Sequence, residues 1–410
     1  MLGCATPVFR SVDPHYPGLK SPCGRNKTEG RRSDGSNVRS TIAIRFEIRP
    51  LRRENSIRHP KPVSIRLNRV RRIILIITPG LRIKLRAAAS VIVLFSFTPP
   101  QQASPAQREF GLQSLSPKFW LLVPRDAKLI RVATGFGFTE GPVWDKDNFL
   151  YVSDEEQNKI YRVNPDGSRQ TVIALGDPDG STYDLDQQLL DCASVLRAII
   201  RITSDGKYSV LAERYQGKRF NSPNDLVVGP DKAIYFTDPT LDLAKGQRQE
   251  IPFQGVYRLG ADGSVRLETS DLTQPNGLAF SPDGKRLYID DSDQRNIRVY
   301  DFDASGTLSS GRIFGDENDK ADDGVPDGMK VDRNGNLFVV GPKGIWVWDA
   351  EGHHLGTIVT PEQPANLAWG DKDYKTLYIT ATTSIYSIRT ATCGFVPYLA
   401  YTHKSRQVRN

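Results

Sequence analysis

The sequence predicts an all-β fold: a six-bladed β-propeller of four-stranded antiparallel blades, closed by an N-terminal strand. Three observations carry that prediction. A polar residue and turn, a short strand, an Asp/Asn/Gly turn and a second strand with a polar end recur six times. The copies are EGPVWDKDNFLYVSD from Glu140, DGSTYDLDQQLLDCA from Asp179, NDLVVGPDKAIYFTD from Asn224, NGLAFSPDGKRLYID from Asn276, DGMKVDRNGNLFVV from Asp327 and a weaker ANLAWGDKDYKTLYIT from Ala365. Their starts lie 39, 45, 52, 51 and 38 residues apart, the spacing of propeller blades, about 40–50 residues. Each copy is also followed by more strand sequence, such as IYRVNPDGSRQTVI (160–173) and GIWVWDAEGHHLGTI (344–358). Alternating apolar residues around Asp-Gly and similar turns mark hairpins. Finally, the sixth unit stops at SIYSIR (384–389), one strand short, and an orphan strand at 129–133 precedes the first. Pairing the two closes the ring and removes two exposed edges.

Taken in order, the chain begins with a leader over residues 1–80 that is rich in Arg, Ser, Pro and Gly and lacks periodicity, which reads as disordered. Residues 1–90 hold 16 Arg and 4 Lys against 5 acidic residues, a balance of +15; the whole chain carries +8, so the remainder carries −7. The basic surplus is therefore not on the folded body, and no nucleic-acid partner is expected. Residues 81–106 read as a secretory signal peptide: a basic stretch at 81–86, an apolar stretch at 87–97 and small and turn-forming residues after it. The apolar stretch is too short for a spanning helix of about 20 residues, so no stable membrane insertion is expected. Because signals stand at the N-terminus, the expectation is that translation starts near residue 81 and that the product is periplasmic or secreted; without a signal there, it is cytoplasmic. Residues 107–126 read as a linker, 127–390 as the propeller and 391–410 as a disordered C-terminal tail. Cys4, Cys23, Cys192 and Cys393 form no CxxC pair. The 237–255 insertion is longer than a blade turn needs, as in loops that line binding sites.

The innermost strand of each blade lines a central channel, so equivalent repeat positions converge. That position holds Glu140, Asp179, Asn224, Asn276, Asp327 and Ala365. Five oxygen-bearing side chains around one axis, three of them carboxylates, repel one another unless a cation sits among them. An all-oxygen donor set suits a hard cation such as Ca²⁺ or Mg²⁺. Asx capping of strand starts is the alternative, and it accounts for the Asn and Asp residues but not for Glu140. The body holds only His353, His354 and His403, so no Ser-His-Asp triad and no zinc site can be assembled from the repeat positions.

FTEGPVW, RFNSPND, QPNGLAFSPDG and VPDGMKVD, in that order, resemble the gluconolactonase and senescence marker protein 30 (regucalcin) family over about residues 127–390. The resemblance implies a six-bladed propeller with one divalent metal in the channel, Ca²⁺ first and Mg²⁺, Zn²⁺ or Mn²⁺ as alternatives. It implies hydrolysis of sugar lactones, with Glu140, Asn224, Asn276 and Asp327 as metal ligands and Arg219 and Asn221 contacting the substrate. Asp179 adds a polar wall. In that setting Asp327 is the candidate catalytic general base. The second blade departs from many relatives, with Asp179-Gly180 and Cys192-Ala-Ser where those carry Asn-Gly and Cys-Glu-His. A non-enzymatic binding propeller with a structural metal, and a related ester or organophosphate hydrolase, are the competing readings. No protein partner is implied.

Overall fold

The computed structural model describes residues 108–407 apart from 304, 310 and 320; the leader and the 81–106 segment lie outside the described residues. Six antiparallel sheets form the blades. Blade 1 is built from Thr139–Asp145, Phe149–Asp154, Lys159–Val163 and Arg169–Ala174. Blade 2 holds Pro178–Tyr183, Leu189–Ala193, Ala198–Ile202 and Tyr208–Ala212. In blade 3 the strands are Leu226–Val228, Ile234–Asp238, Gly255–Leu259 and Val265–Thr269. Those of blade 4 are Pro275–Phe280, Arg286–Asp291, Asn296–Asp301 and Arg312–Asp316. Blade 5 runs through Met329–Val331, Leu337–Gly341, Gly344–Trp348 and His354–Val359. Blade 6 has Pro364–Gly370, Thr376–Ala381 and Ser384–Arg389. Its fourth strand is Leu129–Thr134, which pairs antiparallel with Ser384–Arg389, so the ring closes as the sequence predicts.

The hydrophobic core is divided among the seams between blades. Val143 and Ile160 of blade 1 pack on Leu189 and Ile200 of blade 2, and Leu190 and Cys192 of blade 2 on Phe236 and Tyr257 of blade 3. Tyr235 and Val256 meet Phe280 and Ile289 across the next seam, and Tyr288 and Val299 meet Met329 and Trp348 across the one after. Phe338 and Ile345 pack on Leu367 and Ile379, and Tyr378 and Ile385 return to Trp144 and Val152. Each sheet is therefore covered on both faces, which explains why inner strands such as Pro275–Phe280 are buried along their whole length.

Two segments depart from the sequence expectation. Residues 107–126, read as a linker, carry a strand, Gly111–Ser114, that pairs with His354–Val359 and gives blade 5 a fifth strand. A short helix, Phe119–Leu122, follows and buries Phe119 and Leu122 in the seam between blades 5 and 6. Four residues are too few to show a helical period.

The tail also departs, because its start is ordered and ends in a helix, Pro397–Gln407. The backbone of Phe395 donates to Val331 O at 2.9 Å and that of Arg333 to Cys393 O at 2.9 Å, while Thr392 Oγ1 donates to Asp332 Oδ2 at 2.7 Å. These bonds seat Phe395, Val396, Pro397 and Tyr398 against Val143, Thr182, Val227, Ala279 and Ala368 around an apolar cavity of about 60 Å³. Those inner-strand positions lie three residues beyond the repeat position that begins at Glu140. That is about 10 Å further down the channel at about 3.3 Å per residue, so the C-terminal segment stoppers the lower end.

The N-terminal dock is testable. Phe119→Ala empties a fully buried site and is expected to cost about 3–5 kcal/mol, read as a lower urea midpoint at unchanged slope. A loss below about 0.5 kcal/mol would show the segment to be a passive linker.

Candidate active site

Strand register puts the six repeat positions on one level. Thr139 pairs with Asp154, Pro178 with Ala193, Pro275 with Asp291 and Pro364 with Ala381, each at the same place in its blade. The following residues, Glu140, Asp179, Asn276 and Ala365, are thus equivalent, and Asn224 and Asp327 join them through the pairs Leu226–Phe236 and Met329–Val339. Glu140, Asp179, Asn224, Asn276 and Asp327 line one open cavity of about 330 Å³, together with Phe138, Glu155, Leu241, Asp242, Ser292 and Val325. The loops entering this rim are held by the polar residue at the end of the second strand. Asp154 accepts from the Gly137 and Phe138 amides, Asp238 from Asn221 and Asp291 from Thr273 and Gln274. A strand ending in Asp is thus a device for aiming the residue that starts the neighbouring strand.

The donor set fits a hard cation, and one orphaned atom carries the test. Asn276 is 5% exposed. Its Nδ2 donates to Ser292 Oγ at 3.2 Å, and that hydroxyl gives its own proton to Pro326 O at 2.7 Å. Ser292 must therefore accept from Asn276, which fixes the amide and leaves Asn276 Oδ1 buried without a hydrogen-bond partner. Asn224 is oriented in the same sense: its Nδ2 donates to Asp179 Oδ2 at 2.8 Å and to Asp242 Oδ2 at 3.3 Å, so its oxygen is the free end. Glu140 accepts from the Gly141 amide at 2.7 Å and from Asn366 Nδ2 at 2.8 Å, both on Oε2. Glu140, Asn224, Asn276 and Asp327 thus offer only oxygens, as Ca²⁺ and Mg²⁺ prefer.

The electrostatics point the same way. Burial pushes the Glu140 carboxyl up to about 7, with the Asp225 charge adding to it. Burial, and then the charges of Glu140 and Asp290, raise Asp327 well above the usual carboxylate range. Asp179 and Glu155 are raised by burial first, and then by the charge of Glu155 on Asp179 and of Glu140 on Glu155. No Lys or Arg stands among the lining residues to relieve this repulsion.

Two residues expected at the substrate stand outside this cavity. Asn221 is fully buried, and its side chain donates to Asp238 O at 3.2 Å and to Phe253 O at 2.9 Å. Arg219 donates its side chain to Leu196 O and its backbone amide to Glu250 Oε2 at 2.9 Å. Neither lines the cavity. The Arg219 side chain is tied to the hairpin turn of blade 2 and Asn221 to blade 3, and the chain at 218–219 turns back as a two-stranded ribbon with 214–215. Asp179 does line the cavity, though it also accepts from Asn224. The long 237–255 insertion contributes Leu241 and Asp242, as its length suggests.

Glu155 and Asn366 were missed. Glu155 sits in a turn outside the repeated strand pair, and Asn366 occupies a position that holds Gly in four other blades. In the second blade, Cys192 is a core residue, and Ser194 Oγ donates to Pro223 O at 2.8 Å. A separate carboxylate–imidazole group at Asp349, Glu351 and His353 lies on a hairpin turn. Its central carboxylate is already taken up by backbone amides of Glu351 and His353 and by Lys118. We read that group as a turn cap.

Residues 138–383 match the sequence profile of the SMP-30/gluconolactonase/LRE-like region. The chain belongs to that family. Among relatives, a gluconolactonase of Zymomonas mobilis is 34% identical over 69% of this chain and 87% of its own length. A pentonolactonase of Haloferax volcanii is 29% identical over 61% of this chain and 83% of its own. The solved structure of a gluconolactonase from Xanthomonas campestris superposes with a TM-score of 0.64 at 32% identity, covering 70% of this chain and 96% of that one. The family match begins at Phe138 and ends at Thr383, so the rim and its capping carboxylates all fall inside it.

The raised carboxyls give a stability signature. Burial holds Asp177 at about 6 and Asp238 at about 8, above their unfolded value of about 3.9. Over that interval the folded chain binds more protons than the unfolded one, so stability falls as pH rises. The melting temperature without added metal is expected to drop from about pH 4 to pH 8; a midpoint that rises over that range contradicts the burial assigned to these groups.

Proposed function

We propose that this protein is a divalent-metal-dependent hydrolase that opens uncharged sugar lactones. The unpartnered Asn276 Oδ1, in a rim of oxygen donors, is the observation that carries the reading. Glu140, Asn224, Asn276 and Asp327 would hold the ion, Ca²⁺ by preference for an all-oxygen set that mixes carboxylates with neutral amides. When bound, a divalent cation supplies Lewis acidity toward a carbonyl oxygen.

The chain's own residues supply the rest. Asp327 takes the proton of the attacking water, as a carboxylate standing in the rim of the cavity can. As the acyl carbon–ring oxygen bond breaks, that proton goes to the leaving oxygen, which gives the hydroxy acid. Asp179, Glu155 and Asp242 accept hydrogen bonds from ring hydroxyls. An acidic lining without a cationic side chain favours a neutral polyol over a phosphorylated or carboxylated lactone. Lactonase relatives named for hexono- and pentonolactones support the substrate class.

Asp327→Asn is expected to lower kcat for gluconolactone by about 10²–10⁴-fold, the range for loss of a general base. Proton release is followed above the spontaneous rate. Chelation is expected to abolish turnover, and added Ca²⁺, Mg²⁺, Mn²⁺ or Zn²⁺ to restore it to differing degrees. Turnover within threefold of the original after Asp327→Asn rules out this base. Turnover that survives exhaustive chelation rules out the metal.

A further inference from the structure

Directly below the rim the channel carries a second polar level. One residue on from the rim, the six blades place Gly141, Gly180, Asp225, Gly277, Gly328 and Asn366. Asp225 and Asn366 therefore stand three blades apart, on opposite sides of the axis, and the glycines beside them make the room. A Cβ on Gly180 would lie 2.6 Å from Asp225 Oδ1, and one on Gly328 would lie 2.2 Å from Asn366 Oδ1. Asn366 is 3% exposed and bridges two levels of the channel. Its Oδ1 accepts from the Leu367 amide at 2.9 Å and from Lys330 Nζ at 3.1 Å. Both of those groups only donate, so the amide cannot be reversed, and Nδ2 must face Glu140 Oε2, 2.8 Å away. Lys330 reaches this point from below: its stem lines the apolar cavity above the C-terminal stopper while its ammonium meets Asn366.

The consequence for Glu140 follows from which oxygen is occupied. Both of its donors, the Gly141 amide and Asn366, converge on Oε2, and among the described residues Oε1 takes no hydrogen bond. The carboxylate is held by one oxygen and presents the other to the cavity.

We propose that Asn366, oriented by Lys330, is the positioning residue that aims Glu140 at the cation. Asn366 touches neither the cavity nor a reacting atom. It acts through Glu140, as outer hydrogen-bond partners of ligating carboxylates do. The inference rests on the metal reading above and adds a residue to it from outside the rim.

Asn366→Ala is the test. Four other blades carry glycine at this level, so a small residue there is compatible with the fold. Asn366→Leu, which fills the space without donating, is the companion variant. Ca²⁺ alone is titrated into the metal-stripped protein by calorimetry, and melting is followed with and without the ion. The expected result is a Kd raised about 10–100-fold in both variants. Metal-free melting should fall somewhat, because the Leu367 amide and Lys330 lose this acceptor, but by less than metal-loaded melting, so that the metal-induced rise is smaller; kcat should recover to within about threefold at saturating Ca²⁺.

A Kd within twofold of the original in the variant that folds overturns the proposal. So does a metal-free melting temperature that falls as far as the metal-loaded one, since that describes a structural residue. A kcat that stays low at saturating metal assigns Asn366 to the chemistry and also overturns it. Absence of Ca²⁺ binding by the unaltered protein removes the metal reading and this inference together; binding there with unchanged variants removes only this inference.

Discussion

Closure of the ring is the constraint on which the rest depends. No blade has a core of its own: the apolar faces of each sheet are buried chiefly against its two neighbours, and the last seam, between blades 6 and 1, is completed by the pairing of Leu129–Thr134 with Ser384–Arg389. That pairing joins parts of the chain some 250 residues apart, so blade 6 is completed from both ends of the fold. The inner strands are also linked across seams by backbone bonds, such as Gly180 N to Asn224 O at 2.8 Å and Gly328 N to Ala365 O at 2.9 Å. These hold the rim residues at a common height. Without them, equivalent positions in six hairpin pairs do not become one site.

The same geometry concentrates charge. Bringing the starts of inner strands together gathers Glu140, Asp179 and Asp327 with Glu155 and Asp242 in a cavity that no cationic side chain lines. The ionised forms of these groups are disfavoured by lost hydration first and by mutual repulsion second. The site therefore weakens the fold that builds it, as is common where binding groups are arranged in advance of a ligand. The countercharge within the channel comes from Lys330, one level down, where it offsets the burial of Asp225 and, through Asn366, reaches the rim. The loops above are kept in place by Asp154, Asp238 and Asp291, each spending its carboxylate on backbone amides. Similar residue types thus do different work one strand apart.

Much of the rim was readable because it is part of the repeat. An Asp or Asn at the start of a strand, recurring at blade spacing, marks a convergent position in the sequence alone. Glu155 and Asn366 break that logic. Glu155 belongs to a turn that follows the strand pair, and Asn366 replaces the glycine found at its level in four blades, so neither stands out in a one-dimensional comparison. Asp242 was implied only by the length of its loop. Arg219 and Asn221 differ in the opposite direction, since they stand outside the rim cavity. Their donor nitrogens bond to Leu196 O, Asp238 O and Phe253 O, carbonyls that the sequence does not place beside them, while Asn221 Oδ1 and Arg219 Nε keep no partner.

By itself the sequence determined what depends on local pattern: strands from alternation, hairpins from Asp-Gly turns, six blades from spacing, and closure from one missing and one surplus strand. Those properties are carried by residues within a few positions of one another, and they agree at every level. Tertiary structure decided what depends on contacts across the ring. It seated Phe119 in a seam and the C-terminal segment under the channel, neither of which has a period long enough to read. It also chose which oxygen of Asn276 is left without a donor and which oxygen of Glu140 faces the cavity. On Oε2 of Glu140 the adjacent Gly141 amide is joined by Asn366, 226 residues away in the chain, whose buried amide can satisfy its acceptor and its donors in only one orientation.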